Sequence, residues 1–321
     1  MKRRAGLLAL ALAAATPLHA APIDDRLNAI AQVPAGKVGI AAIDVASGRT
    51  LAVNGAERFP MASTVKIAIA ATYLWQVDAG KRSLATMIAF DEKRRLASEG
   101  IGQSLPHPGI SLSAANYIEL MLTVSDNSAT DTLLAQLGGP RVVERWLIAH
   151  HLEGIRIDRT IARLLLDDYG LPVGADGDAV AALRAAEAMP ALTPDQIDAA
   201  AAKFDADPRD TATPSAMAQL LARIDRRELL SARSRAFLLA VLSRTTTGPD
   251  RIKGGLPPGT PIAHKTGTLH GISDDVGLVT LPDGRRVAIA VFTRGISDGK
   301  ARAAIIAEAA RAIYDDALVA H

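Results

Sequence analysis

The sequence predicts an α+β fold of two lobes, with an antiparallel sheet built from both termini and flanked by helices, and an all-helical lobe between them. Short β-rich runs fill residues 36–55 and return after residue 250, whereas helical patterns dominate residues 61–241. The chain has 321 residues, of which 49% are hydrophobic, so it can bury a large core. We expect a functional cleft between the lobes.

The chain divides into a sheet lobe, of residues 36–60 and 250–318, and a helical lobe, of residues 61–249. The helical lobe is therefore carried as a long insertion within the sequence of the sheet. Together the lobes form a single domain, residues 21–321, with a further helical insertion at about 160–206.

An export signal is predicted at residues 1–20. Three basic residues open the chain, an apolar run follows over residues 5–15, and small residues offer a cleavage point after Ala20 or Ala21. The apolar run is shorter than the roughly 20 residues that a membrane-spanning helix needs. We therefore expect an exported protein, periplasmic or secreted, with no membrane span.

Charge and composition exclude several classes of function. The chain has 36 basic and 34 acidic residues. Loss of the three basic signal residues leaves 33 basic and 34 acidic residues, a balance that does not indicate nucleic-acid binding. There is no cysteine, so no disulfide framework or thiolate chemistry is available. The seven histidines show no metal-ligand spacing on a helix face. We expect a monomer with no metal, no cofactor and no nucleic-acid partner.

The first elements follow from turn and cap residues. Residues 36–55 form a hairpin around the turn ASGR. A helix then runs from Met61 to near Ala79, where Gly80 ends it. These elements take the chain from the sheet lobe into the helical lobe.

Two further helices flank a break at residues 125–127. SAANYIELMLTV precedes the break, and in SDNSATDTLLAQLGG the residues Ser128 and Asp131 have the spacing of a capping box. After residue 250 the period returns to that of strands, in the runs IAHKTGT, DDVGLVTL and RVAIAVFTR. An Ala-rich helix to about residue 317 completes the sheet lobe.

Lys66 is a lone charge in an apolar helix, three residues after Ser63. This spacing places both side chains on one face, near a helix start whose free backbone N–H groups can bind an oxyanion. A serine hydroxyl needs a base to take its proton, and desolvation can lower the pKa of a lysine enough for that task. The pair predicts a serine nucleophile with its own amine base.

The same spacing recurs at Ser297 and Lys300, within a G-x-S-x-G pentapeptide that is typical of a hydrolase nucleophile elbow. Only 24 residues follow Ser297, and the one histidine among them is the terminal His321. We therefore interpret Ser297 and Asp298 as caps of the last helix.

Two other motifs distinguish Ser63 from this chance match. S-D-N at residues 125–127 falls in a break between helices, and K-T-G-T at residues 265–268 falls on a strand. Taken singly, each is typical of an ordinary capping turn or polar strand end. Together with S-x-x-K they form the motif set of class A β-lactamases and penicillin-binding proteins.

The resemblance is broader than these motifs. ERFPMASTVK, SDNSATDTLL, DPRDTATPSAMAQLL and TTTGPDRIKGGLPPGTPIAHKTGT are similar to class A serine β-lactamases, members of the penicillin-recognising serine hydrolases, over most of residues 36–318. The resemblance implies a two-lobe fold with the active site in the cleft. It also implies an exported enzyme without a metal, which forms an acyl-enzyme with β-lactam amides.

By this resemblance, Ser63 is the nucleophile, Lys66 a proton acceptor, and Ser125 the proton relay to the β-lactam nitrogen. Asn127 contacts the substrate amide. The backbone N–H groups of Ser63 and Thr268 form the oxyanion hole.

The same resemblance assigns the other end of the substrate to the K-T-G-T strand. Lys265, in the catalytic set, and Thr266 face the substrate carboxylate, and Gly267 and Thr268 line the substrate site. Arg251 stands where some family members keep an arginine that adds positive field for this carboxylate, and a solvated surface arginine is the alternative.

The sequence departs from the family at the glutamate that activates the deacylating water. The run RIDRTIARLLLDD places Thr160, Ile161 and Ala162 in that stretch, and leucines at 164–166 replace an asparagine that helps hold the same water. A general base typically contributes about 100- to 10,000-fold to its step. We therefore expect slow hydrolysis of an acyl-enzyme.

The ends of the family's Ω-loop are retained. Arg159 and Asp210 match the pair that closes this loop by a salt bridge, but 50 residues lie between them, where an Ω-loop has roughly 6 to 16. We predict at least two short helices there, DGDAVAALRAAEAM and TPDQIDAAAAKF, the second with a capping box begun by Thr193. The insertion is either a surface decoration or a lid, and Asp167 and Asp168 are the acids nearest to the site.

Three functions remain open from the sequence. The first is an exported serine hydrolase that is acylated at Ser63 by β-lactam amides and hydrolyses them. The second is a serine peptidase or esterase that uses the same motifs on another acyl substrate. The third is a penicillin-binding protein that traps its ligand without turnover.

Overall fold

The computed structural model describes residues 22–173 and 177–320, so the predicted export signal at residues 1–20 lies outside the described residues. The described strands are β1 (Lys37–Asp44), β2 (Thr50–Val53), β3 (Phe59–Pro60), β4 (Met87–Ala89), β5 (Ser111–Ser113), β6 (Thr211–Ala212), β7 (Ile262–Leu269), β8 (Ile272–Thr280) and β9 (Arg286–Arg294). The described α-helices are α1 (Ile23–Ala31), α2 (Lys66–Asp78), α3 (Ile101–Ser104), α4 (Ala114–Thr123), α5 (Asn127–Leu137), α6 (Pro140–Ala149), α7 (Ile161–Asp168), α8 (Ala179–Ala186), α9 (Pro194–Asp205), α10 (Pro214–Asp225), α11 (Ala232–Leu242), α12 (Ile252–Gly255) and α13 (Gly299–Val319). Among these helices, none is long and apolar enough to cross a membrane.

One antiparallel sheet joins the two ends of the domain, in the order β2-β1-β9-β8-β7. Strand β1 pairs with β9 along its whole length, from Lys37 opposite Arg294 to Asp44 opposite Val287. The predicted α+β fold, with its sheet drawn from both termini, is confirmed. Strand β7, which carries K-T-G-T, forms the edge of this sheet.

The two faces of the sheet pack against different layers, as the period of two in each strand requires. Ala41 and Phe292 face the core of the helical lobe. Ile40 and Val291, their neighbours in sequence, face a second core formed with α1 and α13. The sheet is therefore buried on both faces, and its edge strand β7 meets the helical lobe.

Helix α2 runs through the middle of the helical lobe, among α4, α5, α6 and α11. We predicted one helix from Met61, but residues Ala62–Val65 form a 3₁₀ turn and the α-helix begins at Lys66. Ala62 has a φ of 44°, which is incompatible with an α-helix, so regular geometry starts only after the turn.

The predicted capping box at Ser128 and Asp131 is wrong. The N-cap of α5 is Asp126, whose carboxylate accepts a hydrogen bond from the N–H of Ala129. The Ser128 hydroxyl accepts instead from the N–H of Leu96, at 2.9 Å. Asp131 turns away from its own helix end and bonds to the first turn of α7, an interaction between distant segments that a local capping rule does not detect.

The insertion contains the two predicted helices, as α8 and α9, and the capping box at Thr193 is present. It also contains a third helix, α7, for which the sequence analysis named no segment. Thr160 caps α7, and its buried apolar residues recur at helical spacing. At the chain's other end, Asp298 is the N-cap of α13, as expected, but Ser297 is not a cap, because it lies one residue before the N-cap.

Candidate active site

Ser63 lies on the 3₁₀ turn directly ahead of α2. Its side chain is half-buried, whereas Lys66 is fully buried. Side chains three residues apart in a 3₁₀ turn lie one above the other, so Ser63 and Lys66 share a face. The left-handed conformation of Ala62, just before Ser63, is a strain of the kind that concentrates at functional sites.

The Lys66 ammonium has three oxygen acceptors. Its Nζ donates to the backbone oxygen of Ser125 at 2.7 Å, to the Ser125 hydroxyl at 3.1 Å and to Asn127 Oδ1 at 2.7 Å. Within the described residues, none of its hydrogen bonds goes to Ser63. An ammonium has three hydrogens, so Lys66 can accept a proton only after it has lost one.

Burial lowers the pKa of Lys66 to about 7. The carboxylates of Asp126 and Asp131 oppose this shift but do not cancel it. Around neutral pH, a large fraction of Lys66 is therefore a free amine, which is the form that can act as a base.

The Ser125 hydroxyl lies where the two lobes meet. Lys66 reaches it from α2, and Lys265 reaches it from β7, with its Nζ at 3.0 Å from the same oxygen. Burial, followed by the positive charge of Lys66, holds the pKa of Lys265 well below its usual value. Ser125 has a φ of 61°, so this residue too is held in a left-handed conformation. The hydroxyl thus lies between two buried amines.

Asp126 holds the S-D-N turn in place. One carboxylate oxygen caps α5, and the other accepts the N–H of Ile101. The N–H of Asn127 donates to Ser98 Oγ at 3.3 Å. The segment that contains Ser98 and Ile101 therefore forms the flank of the cleft on the helical side.

Gly267 allows β7 to lie against the turn that carries Ser63. A Cβ atom at this position would be 2.8 Å from the backbone oxygen of Met61, a distance that real Cβ atoms essentially never show. It would also be 3.0 Å from the Cβ of Ala62, which would have to move to make room. Glycine is therefore required by the close approach of the sheet lobe to the helical lobe.

The remaining residues of the strand are held from outside. Thr266 Oγ1 lies 2.5 Å from Thr247 Oγ1. Arg251 donates to the backbone oxygen of Gly267 at 2.7 Å and to Thr268 Oγ1 at 2.7 Å. The Arg251 guanidinium is thus bonded to the K-T-G-T strand. A surface arginine that contacts only solvent, the alternative interpretation, would not make these bonds.

The floor of the cleft is formed by the start of α7. Asp131 accepts the N–H of Ile161 at 2.7 Å and the N–H of Ala162 at 3.0 Å, and all three residues are buried. Burial raises the pKa of Asp131 to about 6. Apolar side chains and a fully bonded carboxyl therefore occupy the stretch where the family keeps its glutamate.

Arg159 and Asp210 form a buried ion pair, with Arg159 Nε at 2.5 Å from Asp210 Oδ2. Arg159 also donates to Asp167 at 2.7 Å and to Asp207 at 3.2 Å, and its guanidinium lies over the ring of Phe204. Through these contacts both ends of the insertion are fixed to one arginine.

The two acids closest to the site in sequence have different partners. Asp167 binds the guanidinium groups of Arg159, Arg163 and Arg209, so it belongs to the arginine cluster. Asp168 is buried and accepts a hydrogen bond from Nδ1 of His270, just beyond K-T-G-T, if that nitrogen carries the hydrogen. Of the two, Asp168 is the one directed toward the substrate strand.

The insertion is joined to the flank of the cleft. Arg184 of α8 donates to the backbone oxygens of Glu92 at 2.7 Å and Arg95 at 3.1 Å. A cavity of about 560 Å³ lies between α7, α8 and the segment around Leu96. These contacts make the insertion a wall of the molecule, not a detached decoration.

Several residues of the site were missed at the level of sequence. Asp126 was within a recognised motif, but its capping role was given to Ser128. Thr247 and His270 carry no spacing signal, because their partners are 19 and 102 residues away. Only the fold brings such pairs together.

The comparison with known proteins decides the family. A model of the Beta-lactamase enzyme family matches residues 22–317. The chain belongs to this family. It is 30% identical over 317 residues to a β-lactamase of Streptomyces fradiae. The aligned region covers 96% of this chain and 92% of that protein. It is 29% identical over 309 residues to the β-lactamase CTX-M-8 of Citrobacter amalonaticus, covering 95% of this chain and 93% of that protein.

Solved structures give the class within the β-lactamase family. The crystal structure of a β-lactamase from Chitinophaga pinensis DSM 2588 has a TM-score of 0.75 at 30% identity, and covers 92% of this chain and 99% of that one. The ancestral class A β-lactamase GNCA has a TM-score of 0.75 at 30% identity, and the match covers 92% of this chain and 100% of that one. The resemblance to class A serine β-lactamases is confirmed, and so is the two-lobe fold.

Proposed function

We propose that this protein is a serine hydrolase that forms an acyl-enzyme at Ser63 with β-lactam amides and releases it slowly. The observation that carries the proposal is the Ser125 hydroxyl, shared by the buried amines of Lys66 and Lys265 beside the turn that holds Ser63. Membership of the β-lactamase family supports the same chemistry.

Acylation begins with the free-amine form of Lys66, which takes the proton of the Ser63 hydroxyl. The Ser63 oxygen then attacks the β-lactam carbonyl, and the backbone N–H groups of Ser63 and Thr268 stabilise the resulting oxyanion. Ser125 passes a proton to the departing ring nitrogen and is resupplied by Lys66 or Lys265. Its position between the two amines suits this relay.

Substrate binding is assigned to both sides of the cleft. Asn127 contacts the amide of the substrate side chain, and Lys265 and Thr266 bind the substrate carboxylate, beside Gly267 and Thr268. Arg251 adds positive charge to the same end of the site through its contact with Thr268. Residues 1–20 would export the protein to the periplasm or medium.

Slow deacylation follows from the floor of the cleft. Ile161 and Ala162 fill the stretch where a glutamate would activate water, and the neighbouring Asp131 has both oxygens bonded. Loss of a general base typically costs its step about 100- to 10,000-fold. This observation also favours a second function, a penicillin-binding protein that is acylated once and retains its ligand.

One experiment separates these functions. Purified protein is incubated with a penicillin and with a chromogenic cephalosporin, turnover is followed optically, and the intact mass is measured. Many turnovers with a transient adduct support the hydrolase, and a lasting one-to-one adduct supports the trapping protein. Neither turnover nor adduct points to a peptidase or esterase with another acyl substrate.

Two serine variants test the assignment of the nucleophile. Ser63→Ala should abolish both the adduct and turnover. Ser297→Ala is the matched control, because Ser297 has the same S-x-x-K spacing but lies in the loop just before the N-cap of α13. Retention of labelling and turnover in Ser63→Ala would show that the site has been wrongly assigned.

A further inference from the structure

We propose that the cavity between α7, α8 and the segment of residues 95–102 is a binding site for a neutral apolar small molecule. The site is distinct from the serine nucleophile, because its lining contains no residue of the S-x-x-K, S-D-N or K-T-G-T motifs. The inference does not depend on the proposed acyl-enzyme.

The size and shape of the cavity suit a small molecule. Its volume is about 560 Å³, and small-molecule sites typically have volumes of about 300 to 1,000 Å³. The cavity is a recess bounded by three separate segments of chain. Such a recess fits a compact ligand better than the extended surface of a protein partner.

Apolar side chains from both ends of the insertion line the cavity. Leu165, Tyr169 and Leu171 belong to α7 and the residues just after it, whereas Leu183 and Met189 belong to α8 and the loop that follows. Leu165 and Leu183 also pack against the core of the helical lobe. Tyr169 and Met189 remain 38% and 60% exposed. Large apolar side chains left open around one recess are typical of a binding site.

The hydrophobic effect supplies the affinity for an apolar ligand. Water in this cavity meets mainly hydrocarbon, so its release to bulk solvent favours an apolar occupant. Protein interiors contain few voids larger than a water molecule, since an unfilled void forfeits packing contacts. A recess of this volume beside the core is therefore better explained by an occupant than by loose packing.

One wall of the cavity is fixed by contacts with the S-D-N turn. The N–H of Leu96 donates to Ser128 Oγ at 2.9 Å, and the N–H of Ile101 donates to the carboxylate of Asp126. The segment is also tightly closed, because a Cβ at Gly102 would be 2.3 Å from the backbone oxygen of Leu96. This wall is therefore formed before a ligand binds, as in most small-molecule sites.

The charged groups of the lining favour a neutral ligand. Arg95 is paired with Glu92, with Nε at 2.8 Å from Oε2. Arg184 and Glu187 have opposite charges and lie three residues apart at the end of α8, on one face. A charged ligand would thus gain no net attraction, and it would lose hydration among the apolar side chains.

Fluorescence titration of the purified protein tests the proposal. The probe is N-phenyl-1-naphthylamine, a neutral apolar dye whose fluorescence rises when it leaves water. We expect saturable binding with a stoichiometry of one dye per chain. Decanol should displace the dye at least about tenfold more strongly than decanoate, because the carboxylate must lose its hydration. A penicillin should not displace the dye, since the cavity is separate from the serine site.

Two tryptophan variants locate the bound dye. Ala186→Trp places an indole in the lining of the cavity and should weaken binding at least about tenfold. Ala185→Trp is the matched control, because Ala185 is the preceding residue of α8, is exposed and does not line the cavity. It should bind the dye with wild-type affinity. Circular dichroism melting of both variants checks that they fold.

A second variant at an exposed position guards against misfolding of the first. Met189→Asp places a charge in the lining and should also weaken binding. Absence of saturable binding, equal affinity of the two tryptophan variants, wild-type affinity of Met189→Asp or displacement by a penicillin would each overturn the site. Equal displacement by decanol and decanoate would overturn its preference for a neutral ligand.

Discussion

The pH dependence of acylation tests whether Lys66 is the base. Burial lowers the pKa of Lys66 from 10.5 to about 7, and only the free amine can take the proton of Ser63. The free-amine fraction is then about 9% at pH 6, about half at pH 7 and about 91% at pH 8. Acylation is present above this pKa and is lost as the pH falls through it.

The expected magnitude is large enough to measure. The acylation rate constant should rise about tenfold from pH 6 to pH 8 and then level off. A lysine with its ordinary pKa would instead give a rise of about 100-fold over the same interval, with no plateau before pH 10. Stopped-flow acylation with a chromogenic cephalosporin between pH 5.5 and 9 resolves these two profiles.

Substitution completes the test. Lys66→Ala should abolish acylation outright, because the family's alternative proton acceptor, the glutamate, is absent from this sequence. Lys300→Ala removes the lysine of the second S-x-x-K match and should change nothing. A flat profile between pH 6 and pH 8, or rapid labelling of Lys66→Ala by a penicillin, would refute the reasoning.

Three further predictions concern the surroundings of the site. Asp131→Asn removes a charge that raises the pKa of Lys66, so the midpoint of the acylation profile should move to lower pH; an unchanged midpoint would contradict the coupling. Asp210→Arg removes the buried carboxylate that pairs with Arg159 and places a second positive charge beside it, and should lower the melting temperature by roughly 6 °C or more, whereas Arg311→Ala at an exposed pair should have little effect. An unchanged melting temperature for Asp210→Arg would refute that role. Gly267→Ala should slow acylation at least about tenfold by forcing β7 away from the turn of the nucleophile, and unimpaired acylation would show that the strand shifts freely.

The parts of the fold that could be predicted are those with local signals. The continuous apolar runs of β1 and β9, the glycine that ends α2 and the capping box at Thr193 are each encoded within a few residues. The same holds for the motif residues Ser63 and Lys66, whose spacing alone places them on one face. Short-range geometry is enough for such features.

The parts that could not be predicted depend on contacts between distant segments. Asp131 has the spacing of a capping residue, yet its carboxyl bonds to N–H groups 30 and 31 residues away. Asp168 and His270 are separated by 102 residues. A local rule assigns each such side chain to its own helix or loop, because the competing partner exists only after the lobes have assembled.

The carboxylates around the cleft show how a site can lose one catalytic residue and keep its architecture. Asp131 has both oxygens bonded to the first turn of α7, and Asp167 is bonded to three arginines, so both carboxylates are already engaged in holding the insertion. Asp168 alone of these three keeps an unbonded oxygen and a link to an exposed imidazole. The rate of deacylation relative to acylation therefore reports directly on whether the insertion has rebuilt a water-activating group or has only closed the space that the glutamate left.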